Sequence, residues 1–349
     1  MSPAQTSFQT IFGDAIPVTA LNQVTQSGSA YLCLIDDQSL VFATGPEADS
    51  FLHSQLSNDV LHLPEGQSRY AAYCTPKGRM LASVLYWKNA SGLFLQCSAS
   101  LQPAFQKRLH MFIMRAKAQL QEVSKDYLIL GVGGQAVDAL LQPYFAELPS
   151  QVNDLVHAEA GTLIRSRDAF GAARYQWLIP SDQVAALESL RDLKSTNGLT
   201  IVNSHIWQLA DILAGVPQVI EQTKEKFVPQ MINFELIGGV NFKKGCYPGQ
   251  EIVARSQYLG KLKRRMAIAL IENEDPRQVS AGMEIYSVSD PSQPCGMIVN
   301  SAAHFGSGVA CLVEIKLLDQ EQGLVHLGSA TGPLLHFLPL PYAYLDVTE

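Results

Sequence analysis

The chain has 349 residues, 47% of them hydrophobic and 16% charged, with a net charge of −7 at neutral pH. This composition excludes a disordered chain and argues against a dedicated nucleic-acid binder, which needs a basic surface to neutralise phosphates. No run of 18 apolar residues occurs and no basic-then-apolar leader opens the sequence, so a cytoplasmic protein of two or three domains is expected.

From residue 31 the sequence predicts two strands, YLCLI and SLVFAT, around the polar turn Asp36, Asp37, Gln38. Gly45-Pro46 opens a helix, with Pro at its first position and Glu47 and Asp49 in its first turn. SRYAAYCT and RMLASVLYW read as strands joined by the turn Pro76-Lys77-Gly78, and LFLQCS as a third. A helix over 101–116 and a strand near 118–123 complete this stretch.

The next segment, YLILGVGGQAVDALL, sets Gly131, Gly133 and Ala136 in a G-x-G-x-x-A pattern that imitates a dinucleotide fingerprint. A Rossmann unit continues into a parallel strand by a right-handed crossover. Here the chain continues into a hairpin, TLIRSR and ARYQWLIP, turning at Asp168 to Gly171. A helix over 182–194 and the strand LTIVN follow, and the order β-α-β-β-α-β predicts a ferredoxin-like unit.

Ser204 is placed to cap a helix, HIWQLADIL, that stops at Gly215 and Pro217. Trp207 on that helix has two readings: an indole stacked on a flat heterocycle, or ordinary core packing. Residues 218–262 lack periodicity yet carry too many apolar and aromatic residues for simple disorder, which marks a functional loop. From 264 onward RMAIALI, EIYSV, CGMIVNSA, VACLVEI and VHLGS predict strands only, in a small antiparallel barrel. The fold class is therefore α+β in three units: 1–123 with 204–262, 124–203, and 263–349.

Of the six cysteines, Cys33, Cys74, Cys97 and Cys311 sit in apolar or strand-like runs and read as buried thiols, and no C-x-x-C pair occurs. Cys246 differs. It stands in FKKGCYPGQEIVARS, where Gly245 and Gly249 allow unusual backbone, Pro248 biases Tyr247 toward an extended geometry, and Lys243 and Lys244 favour a thiolate. The stretch is either a loop that exposes a reactive thiol or a tight turn that contains a cysteine. No histidine is adjacent in sequence. Around it Lys243, Lys244, Arg255, Lys261, Lys263, Arg264 and Arg265 are opposed only by Glu251. That strip reads either as a solvated edge or as an anion site.

Lys244-Gly245-Cys246-Tyr247-Pro248-Gly249-Gln250-Glu251 resembles the K-G-C-Y-x-G-Q-E signature of the YgfZ-type folate-binding proteins, relatives of the glycine-cleavage T-protein (aminomethyltransferase). The likeness extends to Phe227 through Phe242, to FLHSQLSNDV at 51–60, to the hairpin Cys74 to Met80 and to Leu340-Pro341-Tyr342, nearly the whole chain in order. It implies a three-domain ring of two α/β units and a C-terminal β-barrel. It implies tetrahydrofolate or another folate derivative as ligand, and a role in assembly or repair of iron–sulfur enzymes, through which tRNA is modified, so that direct tRNA contact is not required. By the same resemblance Cys246 is the functional thiol, Lys244, Gly245, Tyr247, Gly249, Gln250 and Glu251 its motif, and Trp207 a folate contact. A second folate-linked tryptophan of the family falls near Gln38, which is not aromatic. The T-protein carries two aspartates after its hairpin glycine, whereas this chain has Arg79 and Met80 after Gly78, which argues against aminomethyl transfer. Charge alone suggests that the anionic tail of a folate meets Arg255 and the basic strip. The competing functions are a folate-dependent one-carbon transferase and a thiol-based redox or persulfide module.

Overall fold

The computed structural model describes residues 3–20, 29–113, 116–183, 190–191, 198–258 and 262–344. They form three sheets. The first has five antiparallel strands in the order Ser68–Cys74, Met80–Asn89, Gly92–Ser98, Gln38–Thr44, Gln119–Glu122. Helices Ala48–Gln55 and Gln102–Phe112 cover it with Phe51, Leu52, Phe105 and Leu109, all buried. Within it Trp87 and Phe94 stack at 5.4 Å between ring centroids.

The second sheet runs Leu199–Ile201, Ala30–Leu34, Tyr127–Gly133, Ala172–Pro180, Gly161–Ala169, Leu155–Ala158. Here the structure departs from the sequence reading. Ala30–Leu34 and Gln38–Thr44 are not two arms of one unit, because Asp36 and Asp37 lie where the chain crosses from the second sheet to the first. All five residues of Ala30–Leu34 are buried, which suits a strand covered on both faces rather than one with a wet side. This strand enters between Leu199–Ile201, which it meets in parallel, and Tyr127–Gly133, which it meets antiparallel. The ferredoxin-like unit is thus opened by an N-terminal strand. The helix expected over 182–194 falls largely outside the described residues.

The pseudo-dinucleotide glycines have a packing role. A β-carbon on Gly131 would lie 2.4 Å from Trp207 Cε3, and one on Gly133 would lie 2.6 Å from the Tyr31 hydroxyl. Both strands beside Tyr127–Gly133 run antiparallel to it, so no crossover places a helix N-terminus on a phosphate.

The third sheet is antiparallel, in the order Val325–Leu327, Glu284–Ser287, Gly296–Ala303, Val309–Lys316, Arg264–Ile271, His336–Leu338. A bridge between His326 and Leu334 ties its two ends, so closure is partial. Helix Leu317–Gln322 interrupts the run of strands. Helix Gln250–Tyr258 lies inside the stretch read as non-periodic. It buries Val253 alone, so it has no apolar stripe for a 3.6-residue period to reveal. Among the described residues no helix is long and apolar enough to cross a membrane.

Candidate functional site

The cysteine loop is assembled from the main chain outward. Ser57 and Asn58 follow helix Ala48–Gln55 and receive the lead-in. The Ser57 hydroxyl donates to the Gly239 carbonyl at 2.6 Å, and the Asn58 amide donates to the Gly238 and Tyr70 carbonyls at 2.7 Å each. The Asn241 N–H donates to the Ser57 carbonyl at 2.9 Å. The Asn241 side-chain oxygen then accepts from the N–H groups of Lys243 and Lys244 at 2.8 and 3.1 Å, which turns the chain outward. On the far side Gly249 has φ +83°, and a β-carbon there would lie 2.4 Å from the Thr75 carbonyl and 2.6 Å from Gly78 Cα. The signature loop therefore sits directly on the hairpin turn 75–78, joining two motifs far apart in sequence. Between these anchors Cys246 is exposed, whereas the other five cysteines are buried.

Lys244 does not face the thiol as its neighbour in a cationic pair. Its ammonium turns inward, donating to the carbonyls of His53 and Leu56, the latter at 2.7 Å, and lying 5.1 Å from the Tyr247 ring centroid. Burial pushes Lys244 down to about 8, against the upward pull of Asp59 and Cys246. Tyr247 is buried, its hydroxyl has no hydrogen-bond partner, and burial pushes its pKa up. Gln250 and Glu251 begin helix Gln250–Tyr258, with the exposed Glu251 carboxylate in the first turn, where the helix dipole favours it.

The basic strip is dispersed. Arg264 bonds Glu314 at 3.0 Å and Arg265 is buried against Glu235. Lys243 and Arg255 are exposed, and Lys261 lies outside the described residues. Neither Arg255 nor the arginines of strand Arg264–Ile271 line the cavity described below, so the expected meeting of a folate tail with this strip has no common site here. In the hairpin, Arg79 donates to the Lys226 carbonyl and Met80 is fully buried, so no acid takes the place of the T-protein aspartates.

His53 lies within the family-like stretch 51–60 but was given no role by the sequence, and its carbonyl holds the Lys244 ammonium of this loop. Its Nδ1 lies 3.1 Å from the Asp59 carboxylate but outside hydrogen-bond geometry, whereas the same carboxylate is hydrogen-bonded to His62 Nδ1 at 2.9 Å. Burial and then the Lys244 cation push the His53 pKa down, while Asp59 opposes them. Burial works against the Asp59 charge, but the hydrogen bonds from His62 prevail and hold its carboxyl below the usual range. A spacing of six residues across a helix end has no fixed period, so sequence alone does not pair His53 with Asp59.

A cavity of about 230 Å³ adjoins a smaller one of about 50 Å³, and the two share Gln38, Trp207, Asp211, Val216 and Gln218. All three sheets contribute: Tyr70 and Gln96 from the first, Gln176 from the second, Asn300 and Ser301 from the third. Gln96 and Gln176 exchange hydrogen bonds at 3.0 and 2.5 Å across the two α/β sheets. Trp207 lines the cavity and is 6% exposed, with the Arg174 guanidinium 4.4 Å from its ring centroid, so it is both core and wall. Arg174 is itself buried and donates to Asp211 at 2.5 Å, while burial pushes the Asp211 carboxyl up against the pull of that arginine. Trp207 and Gln38, far apart in sequence, thus face one space. The helix that carries Trp207 begins at His205 without a side-chain hydrogen bond from Ser204, contrary to the expected cap.

No protein-family model matches the chain. Over 313 residues it is 28% identical to the tRNA-modifying protein YgfZ of Shigella sonnei (strain Ss046), spanning 89% of this chain and 93% of that protein. The crystal structure of the glycine cleavage system aminomethyltransferase T from Bartonella henselae matches with a TM-score of 0.71 at 17% identity, over 89% of this chain and 85% of that one. At that identity the second match shows the fold, a mixed α/β arrangement of the T-protein kind.

Proposed function

We propose that the chain, a YgfZ-type relative of the glycine-cleavage T-protein family, binds a reduced folate in the three-sheet cavity and supports tRNA modification. The observation that carries this reading is the lining of the cavity. A pterin is flat and has an edge rich in N–H donors. Trp207 offers an aromatic wall, and Asp37, Asp211 and Gln218 offer acceptors in the same space. Gln38 takes the place of a second aromatic wall, so hydrogen bonding carries more of the recognition and stacking less.

In this reading the protein acts as an accessory to iron–sulfur enzymes that modify tRNA, and it is not itself an aminomethyltransferase. The acidic balance of the chain and the dispersal of its basic strip favour an indirect connection to tRNA. The exposure of Cys246 favours a second, compatible activity, thiol chemistry at the loop.

Anaerobic titration with tetrahydrofolate, followed by tryptophan fluorescence and calorimetry, tests the folate half. Saturable binding is expected, and absence of binding up to about 1 mM ligand, some 4 kcal/mol of affinity, refutes it. The tRNA half is tested in a strain lacking its own protein of this type. The wild-type chain restores an iron–sulfur-dependent methylthio modification, and failure to do so refutes that half.

A further inference from the structure

We propose that a second cavity, beside helix Gln102–Phe112, binds a small carboxylate with an apolar body. The cavity measures about 280 Å³ and shares no lining residue with the three-sheet cavity. It lies between that helix, the facing ends of strands Ser68–Cys74 and Met80–Asn89, and the turn at Lys224 and Glu225. Ala104, Lys107, Arg108 and Met111 recur at i, i+3, i+4 and i+7, so one face of the helix lines it. Leu81, Leu101 and Phe105 supply an apolar floor. Met111 is 55% exposed there, an apolar surface that a bound chain would cover.

The polar end of the cavity is built but unfilled in its hydrogen bonding. Tyr73 lines the cavity while only 1% exposed, with its ring edge-on to Phe105 at 5.3 Å between centroids. Neither the Tyr73 hydroxyl nor Arg108 Nε has a hydrogen-bond partner. Burial pushes the Tyr73 pKa up and the Arg108 cation pulls it down, which marks the two as neighbours although no hydrogen bond joins them. A buried donor left without an acceptor is costly, and here two stand side by side. The charged groups on the lining are Lys107, Arg108, Lys224 and Glu225. Lys224 is paired with Glu221 at 2.5 Å, and Glu225 is exposed. Among the described residues Lys107 and Arg108 have no ion-pair partner. A carboxylate has acceptors enough for a phenol and a guanidinium at once, and its charge meets Lys107 and Arg108. Its apolar body then lies on Leu81, Phe105 and Met111, in a space at the lower end of ligand cavities, which admits one short chain or one ring system.

This site does not depend on the folate reading. Calorimetric titration of the full chain with octanoate tests it, and one saturable site is expected below about 1 mM. Octanol, the same chain without the charge, should bind at least about fivefold more weakly, and octylamine should not bind. Arg108→Met keeps an aliphatic stem and removes the donors, and should weaken octanoate about tenfold. Tyr73→Phe removes only the hydroxyl and should weaken it about threefold. Ala104→Trp, at an exposed helix position, fills the cavity and should abolish binding; thermal melts confirm that each variant is folded. Saturating tetrahydrofolate should leave octanoate bound. The proposal is overturned by absence of saturable binding up to about 1 mM octanoate, by octanol binding as tightly as octanoate, by wild-type affinity in folded Arg108→Met or Ala104→Trp, or by displacement of octanoate by tetrahydrofolate, which would put it in the three-sheet cavity.

Discussion

At the cavity, side chains from three sheets converge on one space; at the loop, main-chain groups from one sheet and its helix hold a single side chain out of the protein. The cavity is walled by Trp207, Asp211 and amide groups, with the buried Arg174 packed against Trp207 and bonded to Asp211 behind that wall. The loop depends on carbonyls of His53, Leu56 and Ser57 and on Gly249, which admits close approach to the hairpin backbone at Thr75 and Gly78. None of residues 241–258 lines the cavity. A ligand site of the first kind is tuned by exchanging side chains, as Gln38 illustrates. A site of the second kind tolerates little exchange, because the backbone itself is the scaffold.

The comparison is sharpened first by Cys246→Ala. It should abolish rescue of tRNA modification in the deficient strain and leave the tetrahydrofolate titration unchanged; a parallel loss of folate affinity would join the two regions into one site. Next, Gly249→Ala forces a β-carbon to within 2.4 Å of the Thr75 carbonyl at φ +83°. It should cost about 2–3 kcal/mol in urea unfolding, and a loss below about 0.5 kcal/mol would show the loop to be softer than its contacts imply. Trp207→Phe keeps an aromatic core residue and should weaken folate roughly fivefold, about 1 kcal/mol, with Cys246 alkylation unaffected.

A pH dependence completes the set. Burial holds Lys244 down to about 8 from 10.5, so between those values the unfolded chain binds more protons and stability rises with pH. Lys244→Met should lack that rise. Thermal melts of both proteins at pH 7.5 and 9.5 check it, and parallel changes in the two would place Lys244 in contact with water.

The parts of the molecule legible in the sequence are those with short-range logic. Strands with clear turn residues, such as Met80–Asn89 and Gly92–Ser98, were found, and the signature around Cys246 marked the loop. Three things escaped for definite reasons. Ala30–Leu34 pairs with strands about 100 and 170 positions away, which no local pattern encodes. Helix Gln250–Tyr258 has one buried residue and hence no stripe. Lys244 reads as a cation beside a thiol, yet its long stem carries the charge the other way, into the end of a helix. Trp207 is buried in the core and also lines the cavity, because a helix at the junction of three sheets presents one face to the core and an edge to the cavity.

The end of helix Ala48–Gln55 is closed by an ammonium that arrives 191 and 188 positions later in the chain. On a ribosome the helix emerges long before the group that finishes it, and contacts of such separation form late because the loop-closure entropy comes first. The same closing event seats the loop that bears Cys246. Thiol placement is therefore a marker of completed folding: a nascent or half-folded chain carries the cysteine but not the anchored loop that holds it out of the protein.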